Sequence, residues 1–181
     1  MRKYSCCVEL IHKLHFPAPD AYKSAQSVAL YLSMGDEICT AQILEDVFKL
    51  NKKCYIPKYY KGSNRMDMVR LRDMEDYDNL PVTDWNIKQP GDDDVREEAL
   101  DSEDGLDLIL IPGLAFTKTG ARCGRGKGYY DTYLDRANRS LGQPPMKIGL
   151  AFHQQMLAEI PTDDHDIRLD LVLHCHSENN E

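Results

Sequence analysis

The segment from residue 106 to residue 138 joins an apolar run, a glycine-rich loop and a helical stretch in that order. Leu106–Ile111 (LDLILI) predicts a buried strand, and the Pro-Gly pair that follows ends it. A helix is predicted from about Tyr129 to Asn138. A strand that leads through a glycine-rich loop into a helix is typical of proteins that pack helices on a mainly parallel sheet.

The rest of the chain alternates strands and helices in the same way. The predicted strands are Ser27–Leu32, Cys54–Pro57, Met66–Leu71, Met146–Phe152 and Leu169–Leu173, and the predicted helices are 4–16 and Thr40, as N-cap, to about Leu50. Several strands are continuous apolar runs, which are typical of parallel strands buried on both faces. We therefore predict one α/β domain over residues 1–181, with a mainly parallel, mixed central sheet flanked by helices, and a polar tail over about 175–181.

Eight residues between Asp92 and Asp104 are acidic, in a stretch without clear periodicity. This pattern predicts a solvated loop or a short helix.

The charge balance excludes some classes of partner. Thirty acidic residues against 22 basic ones leave a net charge of −8, which makes the chain a poor non-specific binder of nucleic acids or anionic lipid. No run approaches the roughly 18 apolar residues of a membrane helix, and no secretory signal is visible. We expect a cytoplasmic monomer that binds small molecules and neither nucleic acid nor membrane.

The glycine-rich loop reverses that charge locally. No acidic residue lies between Asp107 and Asp131, whereas five of the chain's 11 glycines lie there. The same interval holds four cations, Lys118, Arg122, Arg125 and Lys127. Exposed backbone N–H groups, cationic side chains and the N-terminus of the following helix together form an anion site. The segment predicts a cradle for a nucleotide polyphosphate, and the alternative is a solvent-exposed glycine-rich turn.

Two familiar phosphate motifs do not fit this loop. A P-loop needs GxxxxGK followed by Ser or Thr, but Gly128 follows Lys127 and Ala121 stands at the first glycine position. The spacing G-x-G-x-G also differs from the dinucleotide motif G-x-G-x-x-G. A P-loop enzyme is therefore disfavoured.

Asp131 is the first acidic residue after the loop. A carboxylate next to bound phosphates suits Mg²⁺, and the alternative is a helix acid stabilised by the helix dipole. A second acidic patch, with Asp166 among its members, either shares this metal or forms a solvated loop.

The residues PGLAF…GARCGRGKGYYDTYL resemble the signature of the 5-formyltetrahydrofolate cyclo-ligase family. Further resemblance lies in LSMGDEI (32–38), YIPKY (55–59), SNRMDMVRL (63–71), WNIKQP (85–90), DVREEAL (94–100) and the pattern His165, Asp166 and Asp170. The resemblance runs from about Ser27 to His174. It implies an ATP- and Mg²⁺-dependent enzyme that converts 5-formyltetrahydrofolate to 5,10-methenyltetrahydrofolate.

The resemblance also implies roles for particular residues. ATP phosphates would be held by Arg122, Gly124, Arg125, Gly126, Lys127, Gly128, Tyr129 and Tyr130, with Lys127 and Arg125 catalytic. Asp131 and Asp166 would be the metal carboxylates. The folate would be bound by Leu32, Met34, Glu37, Met66, Trp85 and Tyr129. For the methionines and Trp85, ordinary core packing is the alternative.

Family members begin with a longer helix that carries a basic pair for ATP. Arg2 and Lys3 do not align with that pair, which implies a shortened N-terminal helix in this sequence. The alternative function is therefore a folate- or nucleotide-binding protein with weak or lost turnover.

Overall fold

The computed structural model describes residue 10, residues 21–84 and residues 87–175 of the 181-residue chain. The helices are α1 (Ala21–Ser24), α2 (Ala41–Lys49), α3 (Met74–Asp78) and α4 (Tyr129–Ser140), with a 3₁₀ turn at His153–Gln155. The strands are β1 (Ser27–Ala29), β2 (Lys53–Tyr59), β3 (Met66–Leu71), β4 (Leu108–Ile111), β5 (Ala115–Thr117), β6 (Arg122–Cys123), β7 (Met146–Phe152), β8 (Met156–Leu157) and β9 (Leu171–Cys175). Apart from Leu10, the helix predicted over 4–16 lies outside the described residues, and so does the tail from 176 onward.

Six strands form the central sheet in the order β3-β2-β1-β4-β7-β9. Strands β2, β1, β4, β7 and β9 run parallel, and β3 pairs antiparallel with β2 at the edge. The prediction of a mainly parallel, mixed sheet flanked by helices is confirmed.

Strand β4 shows why the apolar runs are continuous. All four of its residues are buried, and alternate side chains belong to different hydrophobic clusters. Leu108 and Leu110 join the cluster that includes α2, whereas Ile109 and Ile111 join the one that includes α4. Because successive side chains of a strand point to opposite faces, a strand covered on both faces needs an apolar residue at every position.

The two longest helices cover opposite faces of the sheet. The buried side of α2 consists of Ile43, Leu44 and Val47, at the spacing of one helical face. The buried side of α4 consists of Tyr130, Tyr133, Leu134 and Ala137. No helix in the described ranges is long and apolar enough to cross a membrane.

Thr40 precedes α2, as predicted, but its side chain does not cap the helix. The Thr40 hydroxyl instead donates to the Tyr31 carbonyl at 2.6 Å. This bond lies beyond the end of β1, which stops at Ala29 instead of reaching Leu32 as predicted.

The acidic stretch 92–104 forms a loop, one of the two predicted alternatives, but it is not solvated throughout. The segment forms no helix, but it packs against β3, where Val69 forms an isolated bridge with Glu98. The Arg96 side chain is 5% exposed and contacts the carboxylates of Asp76 and Asp94 at 2.7 and 2.8 Å. One buried basic side chain with two partly exposed acidic partners therefore anchors an otherwise acidic segment.

The predicted basic loop contains part of a second, three-stranded sheet in the order β6-β5-β8. Strand β5 pairs antiparallel with β6 and parallel with β8. Strand β5 is thus hydrogen-bonded along both edges, and β6 leads into the glycine-rich segment that precedes α4.

Candidate functional site

A cleft of about 670 Å³ lies where the strand order of the central sheet reverses. The chain runs from β1 outward to β2 and later returns to the other side of β1 with β4. Loops that leave adjacent parallel strands in opposite directions open a crevice at the carboxyl ends of those strands. The cleft is lined by Met34, Asp36 and Glu37 after β1, and by Pro112, Gly113 and Leu114 after β4.

Most of the predicted site residues meet in this cleft. Its lining includes Met34, Glu37, Arg122, Gly124, Arg125, Gly126, Lys127, Gly128, Tyr129, Tyr130, Asp131 and Asp166. The structure thus brings together three stretches of chain that the sequence separates by up to about 130 residues.

The glycine-rich segment forms one wall. Gly126 and Gly128 have φ values of 77° and 66°, which residues other than glycine rarely adopt. Gly128 is the N-cap of α4, a helix of 12 residues, so unpaired N–H groups of its first turn lie beside the cleft. Lys127 also lines this wall and has no acidic partner within the described part of the chain. The wall is chemically suited to a phosphate anion.

Arg122 and Asp131, predicted to bind phosphate and metal, contact each other. The Arg122 guanidinium donates to Asp131 Oδ2 at 2.6 Å, and the two side chains are 6% and 21% exposed. The same guanidinium lies 5.7 Å from the centre of the Tyr130 ring. Asp131 Oδ1 accepts a hydrogen bond from the backbone N–H of Ile167 at 3.2 Å. This ion pair therefore joins β6, α4 and the loop that carries Asp166.

The opposite wall is a tight turn after β1. The Met34 N–H donates to Glu37 Oε2 at 2.9 Å, and the Glu37 N–H donates to the Met34 carbonyl at 3.2 Å. Burial raises the pKa of Glu37, against the opposing effects of the Met34 N–H and the Arg125 charge. A half-buried carboxylate held this way can accept N–H groups from a flat heterocycle.

Two tyrosines connect the walls. The Tyr59 and Tyr129 rings meet edge to face, with centroids 5.0 Å apart and an interplanar angle of 66°. Burial raises the pKa of Tyr59 to about 12, so its hydroxyl is neutral at physiological pH. These rings provide an apolar surface between the carboxylate of Glu37 and the glycine-rich wall.

The donor set fits a magnesium ion bound together with a phosphate ligand. Asp131 and Asp166 both line the cleft, and Asp166 Oδ2 accepts a hydrogen bond from the Asp163 N–H at 2.7 Å. Among the residues that the structure describes, no group of three or more His, Cys, Asp or Glu side chains could hold a metal by itself. Mg²⁺ commonly takes one or two carboxylates and completes its shell with phosphate oxygens and water.

Three predicted folate residues do not line the cleft or lie outside the described residues. Leu32 packs against the α2-side cluster, and Met66 is buried in the α4-side cluster. Neither belongs to the cleft lining. Trp85 falls in the gap between the described ranges, which end at residue 84 and resume at residue 87.

Sequence reasoning missed several lining residues. They include Asp36, Tyr59, Ile87, Leu114 and Gln155. The Gln155 amide donates to the Gly113 carbonyl at 2.7 Å and its oxygen accepts from the Phe152 N–H at 2.7 Å, which ties β7 to the end of β4. Tyr59 ends β2, two residues beyond the predicted strand Cys54–Pro57, so its place near the carboxyl end of a parallel strand was a usable signal for it. The positions of Ile87 and Gln155 had no comparable signal.

Comparisons with known proteins agree on one family. A model of the 5-formyltetrahydrofolate cyclo-ligase family matches residues 11–175. The chain is 51% identical over 157 residues to the mouse 5-formyltetrahydrofolate cyclo-ligase, covering 87% of this chain and 77% of the mouse protein. It is 30% identical over 174 residues to the Saccharomyces cerevisiae protein of that name, covering 84% and 77% of the two chains.

Two solved structures are similar to the fold. The 5,10-methenyltetrahydrofolate synthetase of Aquifex aeolicus superposes with a TM-score of 0.69 and 28% identity, covering 96% of this chain and 78% of that one. The synthetase of Mycoplasma pneumoniae superposes with a TM-score of 0.66 and 23% identity, covering 94% and 85%.

Proposed function

This chain belongs to the 5-formyltetrahydrofolate cyclo-ligase family, and we propose that it converts 5-formyltetrahydrofolate and ATP to 5,10-methenyltetrahydrofolate, ADP and phosphate. The observation that carries the proposal is a single cleft with a cationic, glycine-rich wall facing a half-buried carboxylate and two tyrosines. One wall suits a triphosphate and the other suits a pterin.

The chemistry requires an activated formyl group. The formyl oxygen is a poor leaving group, and transfer of the γ-phosphoryl of ATP to it turns it into a good one. N10 of the folate then attacks the formyl carbon and loses its proton. The C–O bond breaks, phosphate departs with the former formyl oxygen, and the five-membered ring carries the methenyl group. Phosphoryl transfer of this kind depends mainly on positioning and charge stabilisation.

The basic side chains would supply those two requirements. Lys127 is exposed in the cleft without an acidic partner among the described residues, so its charge is available to a phosphate. Arg125 lies in the same wall, and the N–H groups at the start of α4 add further donors. Arg122 is held by Asp131 at 2.6 Å and would act from a fixed position.

Asp131 and Asp166 would hold magnesium, whose contribution is to neutralise charge on the phosphate oxygens. Glu37 would accept hydrogen bonds from the pterin, with Met34, Tyr59 and Tyr129 against the ring.

The test follows the ultraviolet absorbance of 5,10-methenyltetrahydrofolate with 5-formyltetrahydrofolate, ATP and Mg²⁺. We expect product that depends on ATP and on Mg²⁺. Lys127→Ala should lower kcat by roughly 100-fold, the scale for loss of one positioned charge-stabilising group. Lys118→Ala is the matched control, because Lys118 belongs to the same basic segment but does not line the cleft.

Two outcomes would contradict the proposal. Binding of folate and nucleotide without product would support the alternative, a binding protein with lost turnover. Normal kinetics in Lys127→Ala would remove Lys127 from the site.

A further inference from the structure

An ion pair crosses the mouth of the cleft and joins its two walls. Arg125 Nη2 of the glycine-rich wall donates to Asp36 Oδ2 of the opposite wall at 2.7 Å. The two residues are 89 positions apart in sequence, and both line the cleft. The pair therefore depends on the tertiary arrangement of two loops that would bind different substrates.

The ion pair between Arg125 and Asp36 is exposed enough for a charged ligand to break it. The side chains of Arg125 and Asp36 are 50% and 65% exposed. Ion pairs this exposed are weak and screened by salt. By contrast, the Arg122–Asp131 pair of the same cleft is largely buried. A charged ligand can displace the first pair at low cost but not the second.

The two partners differ in how firmly they are held. Asp36 lies inside the turn that is closed by two hydrogen bonds, one from the Glu37 N–H to the Met34 carbonyl and one from the Met34 N–H to the Glu37 carboxylate. Arg125 is the longer side chain and lies between Gly124 and Gly126, in a stretch that follows β6 and precedes α4. When the pair opens, Arg125 can turn toward the glycine-rich wall while Asp36 remains with its turn.

We propose that Asp36 is a positioning residue that holds Arg125 across the cleft mouth until nucleotide phosphates displace the carboxylate. This inference rests on the proposed binding of ATP in the glycine-rich wall. The Asp36 carboxylate binds the Arg125 guanidinium in the nucleotide-free protein, so it competes with the phosphates for that group. Removing its charge makes Arg125 available and strengthens nucleotide binding.

The charge of Arg125 also reaches Glu37, since it opposes the burial that raises the pKa of that carboxyl. Transfer of Arg125 from Asp36 to a phosphate therefore changes the electrostatic surroundings of the residue proposed to read the pterin. Asp36 thus lies between the wall proposed for the triphosphate and the carboxylate proposed for the pterin.

The test measures ATP binding by calorimetry with Mg²⁺ and without folate, so that no turnover occurs. We expect Asp36→Asn to tighten ATP binding about two- to fivefold at low ionic strength, the range that follows from the strength of an exposed pair. The gain should shrink toward zero at high salt. In kinetics, the KM for ATP should fall while kcat changes little.

Three variants separate this role from a structural one. Asp36→Glu retains a carboxylate and should bind ATP like the unaltered protein. Asp36→Asn should have no effect in an Arg125→Ala background, because the partner is gone. Asp135→Asn is the matched control, since Asp135 forms a similarly exposed pair with Arg139 at 2.6 Å on α4, outside the cleft lining.

The outcomes distinguish this inference from the proposed function. If the unaltered protein binds no ATP, both fall. If it binds ATP and Arg125→Ala weakens that binding, but Asp36→Asn leaves it unchanged or weaker, only the role of Asp36 is wrong. Should Asp36→Asn fail to fold by thermal melting, Asp36→Ser removes the same charge and is read against the same expectations.

Discussion

Arg122 and Asp131 form a nearly buried ion pair of 2.6 Å at the base of the glycine-rich wall. Nε of the same arginine is buried and has no hydrogen-bond partner among the described residues. Asp131 therefore provides much of the compensation for the buried positive charge of the guanidinium. Asp131 also accepts a hydrogen bond from the Ile167 N–H, in the loop that carries Asp166. A residue expected to serve a metal therefore also keeps a buried cation in place.

Asp131→Ala should lower both activity and stability. The substitution leaves the Arg122 charge buried without its carboxylate, which costs about 3 kcal/mol in the free energy of unfolding. Urea denaturation of the ligand-free protein measures this cost. A decrease of less than about 0.5 kcal/mol in the free energy of unfolding would show that solvent or another group compensates the charge of Arg122.

The double variant Arg122→Met with Asp131→Leu is the control for that prediction. Replacing both members of a buried pair with apolar side chains is often neutral for stability. We expect unfolding close to that of the unaltered protein, together with loss of product formation. Stability as low as in Asp131→Ala would mean that the cost comes from packing and not from an unpaired charge.

Glu37→Gln should stabilise the protein at neutral pH while weakening folate binding. Burial raises the pKa of Glu37 in the folded state above its ordinary value of 4.5. The protonated carboxyl is therefore favoured by folding, and that stability is present below pH 4.5 and lost as pH rises through the folded-state pKa. Glutamine, which does not ionise, avoids the loss.

Denaturation of the Glu37→Gln variant and the unaltered protein at pH 4 and pH 7 checks the sign. The variant should be the more stable at pH 7, and the difference should disappear at pH 4. The opposite order at pH 7 would show that Arg125 and the Met34 N–H outweigh the burial of the carboxylate.

The thiols of Cys123 and Cys54 should react very differently with an alkylating reagent at pH 8. Cys123 is exposed in the cleft, whereas Cys54 is fully buried and burial raises its pKa to about 12. Peptide mapping should find rapid labelling of Cys123 in the folded protein and labelling of Cys54 only after unfolding.

Magnesium ATP should slow the labelling of Cys123, since the nucleotide would cover that part of the cleft. The half-buried Cys39 does not line the cleft and serves as the control. Equal protection of Cys39 and Cys123 would indicate a global stabilisation by ATP instead of local cover.

Gly120→Ala should disrupt the approach of the Asp166 loop to β5. A Cβ at Gly120 would lie 2.1 Å from the Leu169 carbonyl oxygen, and the backbone there has a φ of 83°. The backbone must shift, at a cost of at least about 2 kcal/mol in unfolding free energy. Gly91→Ala, whose Cβ would meet nothing within 4 Å, should change stability little. Similar denaturation midpoints for the two variants would contradict this account.

Local patterns were sufficient for the α/β architecture. Leu106–Ile111 was predicted as a buried strand, and β4 occupies Leu108–Ile111 of it, where an apolar residue at every position is the pattern of a strand covered on both faces. Helix α4 was predicted to begin at Tyr129, directly after the glycines, and it does. These features depend on residues close together in sequence, so their signals survive in the sequence itself.

Contacts between residues far apart in the sequence could not be predicted from such local patterns. Arg96 is buried against Asp76 and Asp94 inside a stretch that composition marks as solvated. Thr40 uses its hydroxyl for Tyr31 and not for the helix that it precedes. In both cases a polar group finds its partner in another part of the fold, which neither periodicity nor charge counting detects.

The order of residues alone determined the layers of the fold and the cationic, glycine-rich cradle, because strand burial, helix phase and backbone freedom are properties of short segments. Tertiary structure decided which side chains face that cradle. It paired Arg122 with Asp131 and Arg125 with Asp36, and it put Tyr59 against Tyr129. The contact between Arg125 and Asp36 exists because the strand order reverses between β1 and β4, and only the folded chain brings the loops of that reversal within hydrogen-bonding distance.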